Sequence, residues 1–180
     1  MSDDEQLTDP FTSDDDEQFV GVSESDDDTG DTDDTDDIEA TTSEGSAFRV
    51  MHFESVLYDL ADASPAVHLV EAESPFRYLV IPLALSDAIA LQYAHSSIES
   101  RRPGTHELMT TIFTRLGAEV VSARIVRYDG GVFYGALDLM TTRGLEVFDC
   151  RTSDALSVAL RQAVPAPILC AEEVLRAYYT

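Results

Sequence analysis

Leu145-Glu146-Val147-Phe148-Asp149-Cys150-Arg151-Thr152-Ser153-Asp154-Ala155-Leu156-Ser157-Val158-Ala159-Leu160, running on through Pro165-Ala166-Pro167 to Ile168-Leu169-Cys170, is the passage that decides the fold. Residues 145–150 read as a strand. From Ser153, the residues Ala155, Leu156, Ala159, Leu160 and Ala163 recur on one helical face, and Asp154, Ser157 and Arg161 form a polar stripe beside it. The prolines end that helix, and 168–170 is a short apolar strand. Strand, helix, strand in about twenty-five residues predicts a compact βαβ unit.

Outward from this unit, the chain reads mainly as hairpins. Residues 48–60 form a long strand and 61–65 a turn cluster. Residues 67–71 and 76–83 pair around Glu73-Ser74-Pro75. Strands at 120–128 and 132–140 flank Asp129-Gly130-Gly131, a hairpin turn that needs positive φ. Ser86-Asp87 opens an apolar helix through Ile89, Leu91, Tyr93 and Ala94 that should be largely buried. After Thr105, the residues Leu108, Met109, Ile112, Phe113 and Leu116 make one apolar stripe, and Gly117 ends it. A last helix covers 172–179. The fold class is α+β: a mixed, mostly antiparallel sheet with hairpins, three to four helices and the late βαβ unit.

Charge divides the 180 residues into two parts. Residues 1–45 hold 19 acids and no base, and the rest of the chain brings the net charge to −24. Such a segment has too little apolar surface to offset its ordering entropy, so 1–46 is expected to be a disordered acidic tail preceding one domain at 47–180. No apolar leader or membrane-length run is present, which predicts a soluble, cytoplasmic protein with no membrane partner. All 11 basic residues are Arg. The absence of Lys excludes Walker-type nucleotide binding, Schiff-base chemistry and nucleases that need a catalytic Lys. The acidic balance argues against broad nonspecific nucleic-acid binding, so any such contact must be local. Cys150 and Cys170 lie in apolar runs and read as buried, reduced thiols.

Three helices open alike, at Ser86-Asp87, Thr105-His106-Glu107 and Ser153-Asp154. A hydroxyl N-cap followed by an acid is what capping favours, and for Ser86-Asp87 capping is the whole explanation. The other two starts carry more. Arg102 precedes Thr105, and Arg151 precedes Ser153 with Asp149 two residues before it on the same side of an extended stretch. Arg side chains and helix-start N–H groups suit a phosphate, although capping and a strand-end ion pair account for the same residues. His106 is isolated from His52, His68 and His95, so no zinc-ligand spacing exists. A helix start disfavours its protonated form, which implies another reason for its position. Ser153 lacks the context of a nucleophile.

Four segments in this order resemble the bifunctional nuclease family: Arg102-Pro103-Gly104-Thr105-His106-Glu107-Leu108, Asp129-Gly130-Gly131-Val132-Phe133-Tyr134, Asp149 to Leu160, and Ala166-Pro167-Ile168. The resemblance covers about residues 48–178. It departs from the family pattern at Ile81-Pro82-Leu83-Ala84 and at Thr152, where a Pro is usual. It implies hydrolysis of phosphodiesters in DNA and RNA. Catalysis would fall to His106 as general acid or base, with Glu107, Asp149 and Asp154 orienting it or recruiting a divalent metal ion. Arg102, Thr105, Asp149, Arg151 and Ser153 would hold substrate. The alternative is a non-catalytic module that binds an anion or a protein through the same groove, and either reading admits a homo-oligomer. The test between them is whether His106, Arg151 and Asp154 meet in space. For the tail the expectation is direct: removing residues 1–45 leaves the melting midpoint nearly unchanged, and a large loss of stability on truncation would overturn it.

Overall fold

The computed structural model describes residues 47–59 and 64–179. The expected tail, and most of the turn expected at 61–65, lie outside the described residues. Seven strands form one mixed sheet: β1 (Phe48–Asp59), β2 (Ser64–Glu71), β3 (Tyr78–Pro82), β4 (Glu119–Asp129), β5 (Val132–Thr141), β6 (Gly144–Arg151) and β7 (Ile168–Ala171). Their order across the sheet is β3-β2-β1-β7-β4-β5-β6. Two antiparallel three-stranded meanders, β1-β2-β3 and β4-β5-β6, are therefore joined by the short final strand. β7 runs antiparallel to β1, opposing Val50 with Leu169, and parallel to β4, opposing Arg124 with Leu169. Gly130 and Gly131, at φ 57° and 85°, make the β4–β5 turn, where a side chain at either position would be strained. The expected crossover from β6 to β7 is present, but it spans β5 and β4 instead of joining neighbours.

Four helices complete the domain: α1 (Leu85–His95), α2 (Thr105–Arg115), α3 (Thr152–Leu160) and α4 (Glu172–Tyr178). Because α3 is the crossover, it lies over β4 and β5, where Ala155, Val158 and Ala159 pack with Ala123, Leu137 and Leu139. The other core joins α1, α3 and α4 to the first meander through Leu91, Leu156, Leu175, Val67 and Leu69. The expected polar stripe on α3 is overturned at Ser157, which is fully buried, because α1 and α2 cover the helix face turned away from the sheet. The helix also stops at Leu160, so Ala163 lies exposed beyond it.

Expectations for the outer helices need correction too. Only Ala88, Leu91 and Ala94 of α1 are buried, whereas Ile89 and Tyr93 are 48% and 40% exposed. α2 buries no residue fully. Met109 and Phe113 reach the core, while Leu108, Ile112 and Leu116 face outward because α2 packs mainly on α3 and not on the sheet. Nor are the hydroxyls N-caps. The extended residues before the helices are Ala84, Gly104 and Arg151, so Ser86, Thr105 and Ser153 sit inside the first turn. The acids Asp87, Glu107 and Asp154 then all fall at the third helical position.

Sheet and α4 are locked together by charge. Glu71, on β2, is 1% exposed and accepts hydrogen bonds from Arg49 of β1 and from Arg77, whose guanidinium also reaches Glu172 at 2.8 Å. The Arg77 hydrogen bond, reinforced by Arg49 and opposed by burial, pulls the Glu71 carboxyl down to about 2. A carboxyl depressed on folding contributes stability that is fully present above its unfolded value and is lost as pH falls toward the folded one. Glu71→Ala is expected to cost roughly 3 kcal/mol in urea unfolding at pH 7, at the low end for breaking a buried pair because both arginines keep some exposure. The difference between variant and wild type should shrink as pH falls from about 4 toward 2. A difference independent of pH would show that shape and not charge matters at this position.

Candidate functional site

The starts of α1, α2 and α3 converge on a cleft of about 410 Å³ whose walls include Asp87, His106, Arg151, Asp154 and Arg161. The seating of α3 makes this convergence possible. Gly135 of β5 faces the first turn of that helix, and a Cβ there would stand 2.8 Å from Thr152 Cα and 2.9 Å from Thr152 N. Only the absence of a side chain lets the strand approach so closely. Thr152 is then buried, its hydroxyl without a hydrogen-bond partner among the described residues.

Arg151, the last residue of β6 and the residue capping α3, turns its side chain back across the helix start. Its Nε donates to Asp154 Oδ2 and its Nη2 to Asp154 Oδ1, both at 2.8 Å, and its Nη1 donates to Asp87 Oδ2 at 3.0 Å. Ser153 Oγ donates to the same Asp87 oxygen at 3.2 Å. His106, at the second position of α2, places Nε2 2.9 Å from Asp154 Oδ1. One carboxylate thus joins a histidine and an arginine from different elements, and a second carboxylate holds the far side of the arginine.

Burial pushes the Asp154 carboxyl up, but hydrogen bonds from Arg151 and His106, with their charges, outweigh it and hold the group below the ordinary aspartate range. Asp154 is therefore ionised near neutrality and can only accept. Nε2 of His106 must carry the shared proton, so Nδ1 of the neutral ring offers a lone pair. Arg151 uses three of its five N–H groups and remains 64% exposed, so two donors stay available to an anion. The first N–H groups of three helices add positive potential at the same place.

The remaining residues singled out in the sequence divide cleanly. Thr105 lines the cleft. Glu107 turns away to cap its own helix, accepting from the Gly104 N–H at 2.8 Å and from Ser100 Oγ at 3.1 Å. The Gly104 bond, against burial and with help from Ser100, keeps the Glu107 carboxyl low. Arg102 is exposed and outside the bonded ring. Asp149, opposite Ala136 in the sheet, does not join Arg151, whose side chain leaves the strand direction at the helix start. Cys150 is half-buried and Cys170 buried, both as free thiols, and burial raises them to about 11 and about 12.

Sequence reasoning missed Asp87, Arg161 and Gly135. Asp87 was legible in retrospect, since it shares the third helical position with Glu107 and Asp154. Gly135 left only a faint signal, a glycine inside a strand. Among the described residues, no three His, Cys, Asp or Glu side chains gather as a metal site would require. Asp87 and Asp154 already accept hydrogen bonds from Arg151, which occupy the carboxylate oxygens an ion would use. The donor set suits an anion at Arg151 and does not fit a divalent ion.

The bifunctional nuclease domain profile matches residues 67–179, and the chain belongs to that family. It is also 37% identical over 101 residues to uncharacterized proteins of two Mycobacterium tuberculosis strains, CDC 1551 and H37Rv, over 56% of this chain and 59% of each relative. The chain thus aligns with somewhat over half the length of these relatives. No helix among the described residues is long and apolar enough to cross a membrane.

Gly135→Ala tests the seating of α3. The added methyl forces backbone apart, so a loss of about 1–3 kcal/mol is expected in thermal or urea unfolding. Any activity that depends on the His106–Asp154–Arg151 geometry should fall with it. An alanine variant as stable as wild type would show that α3 moves aside freely.

Proposed function

We propose that this protein hydrolyses phosphodiester bonds of DNA and RNA at the His106–Asp154–Arg151 cleft. The observation that carries this reading is the meeting of those three side chains, from α2, α3 and the end of β6, around one ionised carboxylate. Arg151 and the helix-start N–H groups receive the phosphate and offset the charge that grows on its oxygens. Nδ1 of His106 takes a proton from the attacking water as the new P–O bond forms. The bond to the leaving sugar oxygen breaks, and that oxygen is protonated in turn, leaving a phosphomonoester and a free hydroxyl. Asp154 fixes the ring and favours its protonated form in the transition state, and Asp87 holds Arg151 in place from the other side. Ser153 serves as a donor to Asp87, not as a nucleophile.

A second reading draws on the same bonds. All of these side chains are mutual partners, so the network also acts as a clamp joining three helix starts, with an anion bound non-catalytically at the exposed edge of Arg151. The two readings separate at His106. In a folded His106→Ala protein, cleavage should fall by roughly 10²–10⁴-fold, one limb of the pH–rate profile should vanish, and binding should change little. Arg151→Ala should weaken binding as well as cleavage. Each variant is compared with wild type purified in parallel, with circular dichroism and melting curves to confirm the fold. Cleavage equal to wild type by folded His106→Ala would leave the clamp reading.

A further inference from the structure

Beside the His106 cleft lies a second cavity of about 500 Å³, within the range of small-ligand sites. Tyr93, Ser100 and Arg161 line both spaces, so the two are adjoining chambers. Arg161 is the unusual member. Its side chain is only 10% exposed, yet its bonding is thin: Nη1 donates to the Ala90 carbonyl at 2.9 Å, Nη2 stands 3.8 Å from Glu107 Oε1, and Nε has no partner among the described residues. A buried guanidinium is costly unless acceptors surround it. Burial correspondingly lowers its pKa, with Glu107 the opposing influence.

The other walls restrict what supplies those acceptors. Glu99 and Glu107 line this cavity against Arg161 alone, so it carries a net negative charge that disfavours a second phosphate, whereas Arg151 and Arg161 together balance Asp87 and Asp154 in the first cleft. An apolar ligand would leave Arg161 unmatched. Thr110 and Thr111 give their hydroxyl protons to the carbonyls of His106 and Glu107, which leaves oxygen lone pairs as acceptors. Tyr93 adds an exposed aromatic face. A cation, acidic and hydroxyl acceptors and an aromatic ring together suit a flat, neutral heterocycle with acceptors on one edge and N–H donors on another. Guanine has this arrangement: O6 and N7 pair with arginine, and N1–H and the N2 amino group face carboxylates.

We propose that this second cavity is a nucleobase subsite that takes an unstacked guanine next to the phosphate at Arg151, with Arg161 on its acceptor edge, Glu107 on its donor edge and Tyr93 against its face. The proposal rests on the reading of the first cleft as a nucleic-acid site and names its substrate more closely. A base reaches this chamber only after leaving its stack, which costs a few kcal/mol in a duplex and least in a single strand. Single-stranded, guanine-containing substrates are therefore preferred.

Calorimetric titration of the full chain with guanosine, adenosine and uridine 5′-monophosphates, and with inorganic phosphate, tests this directly. The guanosine nucleotide should bind at least tenfold tighter than the uridine nucleotide or phosphate. Tyr93→Ala, at a position 40% exposed, should weaken it by about 5- to 100-fold, as loss of base stacking does. Arg161→Gln should abolish the preference among bases. Equal affinity for all nucleotides and phosphate, or a silent Tyr93→Ala, would overturn the subsite. Binding needs no turnover, so guanosine-selective binding without cleavage would keep the subsite and remove the nuclease reading. Wild-type cleavage of guanine-free and guanine-containing strands at equal rates would do the reverse.

Discussion

The four residues of β7 hold this domain together. Without the pairing of Ile168–Ala171 to β1 on one side and β4 on the other, the sheet would be two separate meanders. β7 can lie parallel to β4 only if the chain returns from β6 by a crossover, and that requirement places α3 flat across β5 and β4. The strand is correspondingly apolar, with Ile168, Cys170 and Ala171 all buried. Its position in the middle of the sheet explains why the last fifth of the chain meets residues from both meanders.

The cleft at the three helix starts is a consequence of that crossover. Once α3 is fixed over β5, its first turn lies against Gly135, and Arg151 and Asp154 are fixed with it. α1 and α2 then bring Asp87 and His106 to the same point from the outer side of α3. Three helix starts pointing at one space would repel one another through their dipoles if nothing offset them. The third-position acids supply that offset, and two of them, Asp87 and Asp154, also position Arg151. The same carboxylates thus stabilise the helices and set the charge state of the site.

Glu71 and Arg161 use buried charge in opposite ways. Glu71 is surrounded by Arg49 and Arg77, and its partners leave little of its hydrogen-bonding capacity unmet. Arg161 has one good acceptor for a guanidinium. The first arrangement is what a structural ion pair requires. The second leaves Nε without a partner among the described residues, and it occurs beside the cleft that carries the histidine.

The sequence by itself determined the strands, since period-two apolar runs and the Asp129-Gly130-Gly131 turn are local signals. It also determined the helix–strand alternation of 145–170 and the pairing of polar helix starts with Arg102 and Arg151, and hence the resemblance that family membership bears out. Only the tertiary structure decided which of those residues meet. Asp149 and Arg151 share a strand direction, but Arg151 turns at the helix start and Asp149 does not follow. Glu107 and Asp154 occupy equivalent helical positions, but one caps its own helix and the other receives His106 from a distant element. The outward faces of α1 and α2, the burial of Ser157 and the need for Gly135 likewise follow from which surface each element packs against. Periodicity states that a helix has an apolar side. Burial is a property of two surfaces, and the second surface is supplied by residues far away in the chain.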